Sequence, residues 1–247
     1  MTSLKNVSVS YFTDILCVWA YIAQVRMDQL KKKFGEEIVL EEHYFSVFGS
    51  VGQKMESNWG AKGGVSAYNK HIQEITEKFD HIKVHPDVWI KNTPTTSGSC
   101  HLFLKALQVL DNRNELPEIL DSGDSGDSGN SGNSGNSRKS VVEIVAWEFR
   151  LAFFRDLIDI SSFKSQMEVA ERLQLPIKEI QEVIDSGAAF SALDSDLQLK
   201  EQFGVVGSPS LVLNEGRQMI YGNVGYRVIE ANIQELLNQP ENQASWC

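Results

Sequence analysis

Residues 14–21 read Asp14-Ile15-Leu16-Cys17-Val18-Trp19-Ala20-Tyr21, and this stretch joins two different periodicities. Before it, Val7 to Phe12 alternates apolar and polar residues, which predicts a half-buried strand. After it, Val18 to Phe34 sets Ala20, Tyr21, Ala23, Val25, Met27 and Leu30 at helical spacing, ends in Lys31 to Lys33 and meets Gly35 as a stop signal. A second strand is expected over Ile38 to Val47. Such a strand-helix-strand unit implies a right-handed crossover between parallel strands. Cys17 therefore falls directly after a strand and at the start of a helix.

The far end of the chain supplies a different pair. Pro209 to Leu213 and Gln218 to Tyr221 flank the turn-forming cluster Asn214 to Arg217, which predicts an antiparallel hairpin, and a last helix is expected over Tyr226 to Leu237. The two ends give β-α-β plus β-β-α. Between them the pattern is helical, with helices expected over Ser66–Phe79, Cys100–Asn112, Val141–Leu157, Ser162–Leu173, Ile177–Asp185 and Ala192–Phe203. Trp147, Phe149, Phe153 and Phe154 are expected to fill a helical core. Asp121 to Gly135 is five copies of a triplet, Asp-Ser-Gly and then Asn-Ser-Gly, with almost nothing to bury. Together with Asn136 and Ser137 it reads as a linker over 121–137. The expected class is α/β with a large all-helical insertion. Residues 1–50 and 188–240 form one domain, and residues 51–187 form the insertion.

Composition narrows the function. The chain has 247 residues with 42% hydrophobic content, enough for a packed core. Its 33 Asp and Glu outnumber 23 Lys and Arg, for a net charge of −10, which argues against a nucleic-acid partner. No apolar run nears the roughly 20 residues that span a bilayer, and no basic-then-apolar leader opens the chain. A cytoplasmic protein without a membrane partner is expected. Three cysteines are too few for a disulfide scaffold, so reduced thiols are expected. His81 and His85 are followed at once by Pro86, which disfavours a helical metal pair, and no metal site is expected.

Two places could carry chemistry. At Cys17 the unpaired N–H groups and positive end of a helix favour a thiolate, whereas the bland reading is a small buried hydrophobe. The second is Gly204-Val205-Val206-Gly207-Ser208-Pro209-Ser210. A cis bond there would turn the Ser208 backbone outward, where its N–H and C=O could pair with an extended peptide or a thiol ligand.

These residues together resemble the DsbA-like branch of the thioredoxin superfamily, especially the cytoplasmic FrnE-type members related to 2-hydroxychromene-2-carboxylate isomerases and kappa-class glutathione transferases. The resemblance rests on Asp14-x-x-Cys17-x-Trp19-x-Tyr21, on Asn92-Thr93 with His101, on Ala152-Phe153-Phe154 with Asp159-Ile160, and on Leu193 to Leu213 with its Gly-Val-x-Gly-x-Pro step. It implies a thioredoxin-like fold, Cys17 as nucleophile, and Trp19, Asn92, Ser208 and Pro209 as substrate-binding residues. The departures are Ala20, where the family has a second cysteine, and Val18, where proline is frequent.

With Ala20, Cys17 can attack a disulfide but cannot close one across two intervening residues. Neither Cys100 nor Cys247 is expected to resolve it. The leading expectation is a DsbA/FrnE-like thiol-disulfide oxidoreductase homologue with one active-site cysteine. Its partner is a thiol or disulfide substrate, protein or small molecule. No cofactor is tightly bound, glutathione serves as the second thiol, and a homodimer is allowed. One alternative is a glutathione-dependent isomerase or transferase. Gly222 to Arg227 lacks the carboxylate such relatives carry there, which weakens it. The other is a non-enzymatic thioredoxin-fold binding module.

Overall fold

The computed structural model describes residues 6–118 and 139–238. Four strands, β1 (Val7–Thr13), β2 (Ile38–Tyr44), β3 (Ser210–Leu213) and β4 (Gln218–Tyr221), form one sheet in the order β2-β1-β3-β4. β1 runs parallel to β2, with Val7 opposite Ile38, and antiparallel to β3, with Val9 opposite Leu213. β3 and β4 pair as the expected hairpin. Helix α1 (Val18–Phe34) joins β1 to β2. Between β2 and β3 come α2 (Val51–Trp59), α3 (Gly64–Thr76), α4 (Val88–Lys91), α5 (Gly98–Asn112), α6 (Val141–Phe154), α7 (Phe163–Arg172), α8 (Ile177–Asp185) and α9 (Ala188–Gln202). α10 (Tyr226–Asn238) closes the chain. The architecture is α/β and thioredoxin-like, with its helical segment inserted between β2 and β3.

The alternation in β1 sorts its side chains between two cores. Val7, Val9 and Tyr11 pack with Met27, Leu30 and Phe34 of α1 and with Ile229, Ile233 and Leu236 of α10. Phe12 points to the opposite face, onto Phe45, Val205 and Val212, with Leu199 of α9 against them. A third and larger core carries Ile15, Leu16 and the first turns of α1 into the insertion, where Trp89, Phe103, Phe149, Phe153 and Phe154 are fully buried. Each such side chain contributes roughly 1.5–3 kcal/mol through removal from water. The loop that bears Cys17 is thus held by the insertion as well as by the sheet.

Several boundaries differ from the sequence reading. β2 stops at Tyr44, because beyond Phe45, whose N–H donates to the Thr13 carbonyl, the chain turns so that the Phe48 N–H reaches the Asp14 carboxylate. α2 and α4 were not expected. α2 buries only Val51 and Met55, and α4 spans four residues, so neither shows a long apolar stripe. α9 begins at Ala188, four residues before Ala192, because Gly187 adopts φ +81 at the N-cap and lets a new helix start directly after α8. β3 opens at Ser210, one residue after the proline that has no N–H to pair. The hairpin turn is built from left-handed Asn214, Glu215 and Gly216. Trp147 is half-buried at the margin of the helical core. The 121–137 stretch and Cys247 lie outside the described residues.

Candidate active site

Cys17 is the last extended residue before α1, with φ −80 and ψ 113, and its carbonyl accepts the N–H groups of Ala20 and Tyr21 at 3.1 Å. Helix geometry therefore turns the side chain toward the segment that precedes β3. There the Cys17 Sγ donates to the Ser208 carbonyl oxygen at 3.2 Å. The Ser208-Pro209 peptide bond is cis. The Ser208 hydroxyl accepts the Asp14 N–H at 3.0 Å, so this one residue is bonded to both ends of the Asp14–Cys17 loop. Pro209 is braced through its carbonyl by the Gly222 N–H, and Ser210 Oγ donates to the Gly207 carbonyl. Among the described residues the Ser208 N–H has no partner. Beside it Val206 is 81% exposed and Tyr221 59% exposed.

Asp14 ties this loop to the insertion. One carboxylate oxygen accepts the Leu16 N–H at 2.8 Å in an Asx turn, and the other accepts the Phe48 N–H at 2.9 Å and the Ser97 hydroxyl at 2.8 Å. His101 lies beside it, its Nε2 3.6 Å from Asp14 Oδ1 and in reach of the Ile15 N–H at 3.2 Å, with its Nδ1 facing Ser46 Oγ at 3.3 Å. Burial pushes the Asp14 carboxyl up, yet the His101 imidazole and the Phe48 and Leu16 N–H groups outweigh it and hold the group below the ordinary carboxylate range.

Position alone leaves Cys17 open between a thiolate at a helix start and a small buried hydrophobe, and burial is the larger influence on it. The side chain is 6% exposed, and this burial pushes the thiol up. The Ala20 N–H and Ser208 pull the other way and the Asp14 charge pushes up again, and the balance lies upward.

The other predicted residues fall as follows. Ala20 is fully buried. Trp19 is half-buried and packs edge-on against Phe79, ring centroids 6.5 Å apart. Asn92 ends α4 and is 5% exposed, and its Nδ2 has no partner among the described residues. No hydrogen bond joins it to Cys17 or Ser208 among the described residues. Cys100 is buried in α5 and donates to the Ile160 carbonyl at 3.0 Å, and burial pushes its thiol far above the ordinary range. Cys17 and Cys100 are both free. His81 Nε2 faces the Ile22 carbonyl and His85 Nδ1 accepts the Asp87 N–H. Among the described residues no His, Cys, Asp and Glu side chains cluster as a metal would require.

Sequence reasoning singled out Cys17, Ser208 and Pro209, which the structure brings together. It quoted Asp14 and His101 without a role, and it missed Ser46, Phe48 and Ser97. The Asx-turn position of Asp14, two residues before Leu16, was the one local signal available.

No protein-family model matches the chain, and no curated protein sequence matches it. Solved structures do. A probable DsbA oxidoreductase from Streptomyces coelicolor superposes with a TM-score of 0.65 at 14% identity over 96% of this chain and 92% of that one. The cytosolic disulfide reductase DsbM from Pseudomonas aeruginosa gives 0.58 at 16% identity, over 93% and 99%. A 2-hydroxychromene-2-carboxylate isomerase gives 0.57 at 14% identity, over 94% and 97%. DsbM has also been solved with GSH, and that structure superposes at 0.52 with 13% identity, over 94% and 98%. These superpositions show a shared thioredoxin-like fold with a helical insertion over nearly the whole chain.

Proposed function

We propose that this chain carries out thiol-disulfide exchange as a monothiol, with Cys17 as its nucleophile and glutathione as the second thiol. The observation that carries the reading is the 3.2 Å contact between the Cys17 Sγ and the carbonyl of Ser208, next to the unpartnered Ser208 N–H and the cis peptide bond. A disulfide substrate that lays its backbone along Ser208 brings one sulfur onto Cys17. The thiol attacks that sulfur, forming a Cys17–substrate disulfide, and the second substrate sulfur leaves as a thiol carrying the Cys17 proton. Glutathione thiolate then attacks the mixed disulfide at the substrate sulfur. A substrate–glutathione disulfide departs and the Cys17 thiolate takes a proton from solvent. Across the cycle one disulfide and one thiol are consumed and one of each is formed, with no net oxidation of the protein.

The buried methyl of Ala20 and the packed Cys100 support an external rather than an internal resolving thiol. We place this chemistry in the cytoplasm, where glutathione keeps thiols reduced. The test is release of a fluorescent reporter from a glutathionylated peptide at millimolar glutathione. Wild type accelerates it and Cys17→Ser does not; equal rates in the two proteins contradict the proposal.

A second reading, a glutathione-dependent isomerase or transferase, is favoured by the unpartnered Asn92 amide donor, held in a buried site with nothing of the protein to satisfy it among the described residues. Calorimetric binding of reduced glutathione that is lost in Asn92→Leu supports it, and the absence of heat at millimolar glutathione rejects it.

A further inference from the structure

The insertion brings one tyrosine to the neighbourhood of the thiol. Phe48, whose N–H donates to the Asp14 carboxylate at 2.9 Å, packs against Tyr68 of α3 with ring centroids 6.3 Å apart. Trp59 and Trp89 also pack on the Tyr68 ring, at 5.2 and 5.1 Å. Three aromatic neighbours thus fix the ring, and the residue is 8% exposed. It belongs to the same core as Cys17, and the charges of Cys17 and Asp14 both act on its hydroxyl.

The hydroxyl sets this residue apart. Tyr21 and Tyr44 spend theirs on the Lys83 carbonyl and the Glu42 carboxylate. Those of Tyr11 and Tyr226 are sealed from solvent, and Tyr221 lies largely exposed on β4. Among the described tyrosines, Tyr68 alone joins a buried ring to a hydroxyl that is neither hydrogen-bonded within the described residues nor sealed off. No hydrogen bond joins it to the Cys17 Sγ, so the two groups act on each other across a gap that a third atom can enter. A phenol carries its proton at neutral pH, and burial, followed by the Cys17 and Asp14 charges, pushes that of Tyr68 further up. The group is therefore a donor.

The chemistry calls for one. Disulfide exchange puts negative charge on the sulfur that departs, and a thiolate in a buried setting is costly without a donor. The Cys17 Sγ bonds to the Ser208 carbonyl, an acceptor that gives an anion no help. Positive charge lies nearby, since Lys54 stands over the Phe48 ring at 4.9 Å and Lys62 over the Trp59 ring at 5.1 Å. Neither has a carboxylate partner among the described residues.

We propose that the Tyr68 hydroxyl donates a hydrogen bond to the sulfur that departs when Cys17 attacks a disulfide, and is thus a catalytic residue of the exchange. The inference rests on Cys17 being the nucleophile. In this step the bond between Cys17 Sγ and one substrate sulfur forms and the substrate S–S bond breaks. The departing sulfur takes the electron pair and ends with the Cys17 proton, while Tyr68 keeps its own.

The experiment compares wild type, Tyr68→Phe and Cys17→Ser in single turnovers, read by intact mass as transfer of one peptide to Cys17. Two mixed disulfides of that peptide are used. One releases glutathione, an alkyl thiol that leaves poorly, and the other releases thionitrobenzoate, an aryl thiolate that leaves well without a donor. In Tyr68→Phe, transfer with release of glutathione should slow ~10-fold or more, the worth of a hydrogen bond to a charged group. Transfer with release of thionitrobenzoate should slow less than ~2-fold. The urea midpoint of Tyr68→Phe should match wild type, because the hydroxyl bonds nothing within the described residues. Equal slowing on both disulfides, no slowing on either, or a lowered midpoint would overturn the proposal while leaving Cys17 as the nucleophile. Wild type that gains the peptide no faster than Cys17→Ser would overturn that assignment, and this proposal with it.

Discussion

Asp14 and Ser97, 83 residues apart, meet in a 2.8 Å hydrogen bond that fastens the loop carrying Cys17 to the helical insertion. The same carboxylate holds Phe48 and Leu16, so a single buried acid shapes the approach to the thiol.

Replacing it tests both roles. Asp14→Asn keeps one acceptor but turns an NH2 group toward the donors, and at neutral pH it is expected to lower stability by about 1–3 kcal/mol in urea denaturation. The pH dependence has a definite sign. A carboxyl held below its ordinary range stabilises the fold above its unfolded value, about 3.9, and this contribution fades as pH falls through the folded value. The stability gap between wild type and variant should therefore shrink below pH ~4. Removing the charge also relieves one of the forces that push Cys17 up, so its alkylation curve should move to lower pH. A curve that stays put or moves upward contradicts the coupling.

Ala20→Cys restores the spacing of a dithiol. Ala20 is fully buried in the first turn of α1, so the added sulfur must fit a packed site, at a cost of about 1–3 kcal/mol in the reduced form. Under oxidised glutathione the variant should close a disulfide between Cys17 and the introduced thiol and lose any glutathione adduct. Retention of the adduct would show that the two side chains cannot meet.

Gly207→Ala probes the surface beside the thiol. A Cβ there would lie 2.6 Å from Tyr221 Oη and 2.7 Å from its Cε2, and Tyr221 is exposed enough to swing away. Stability should fall by less than ~1 kcal/mol, while exchange with peptide disulfides slows because the displaced ring crowds Ser208. In a Tyr221→Ala background the same substitution should have no effect on the exchange rate. A persistent effect there would place the strain in the backbone instead.

Much of this was legible in the sequence. The alternation of Val7, Val9 and Tyr11, the Lys31–Lys33 helix end before Gly35, and the Asn214–Gly216 turn each report a local period or a local backbone need. They yielded the sheet ends and the position of Cys17. What escaped was non-local. Phe48 and Ser97 lie 34 and 83 residues from Asp14, and no periodicity links them. Which of the two readings of Cys17 holds could not be decided from the sequence for the same reason. Helix-end electrostatics can be read from one turn of chain, whereas the burial of Cys17 is decided by which helices of the insertion pack over it. α2 and α4 escaped because their apolar contributions are too few to make a stripe.

The central claim, that Cys17 is the one thiol to form a mixed disulfide and that a thiol from solution resolves it, is tested most directly by intact-mass analysis of the folded protein after exposure to oxidised glutathione. The account predicts one glutathione adduct on Cys17, absent in Cys17→Ser and removed by reduced glutathione. No adduct on Cys17, or its conversion to a disulfide with Cys100, would contradict it.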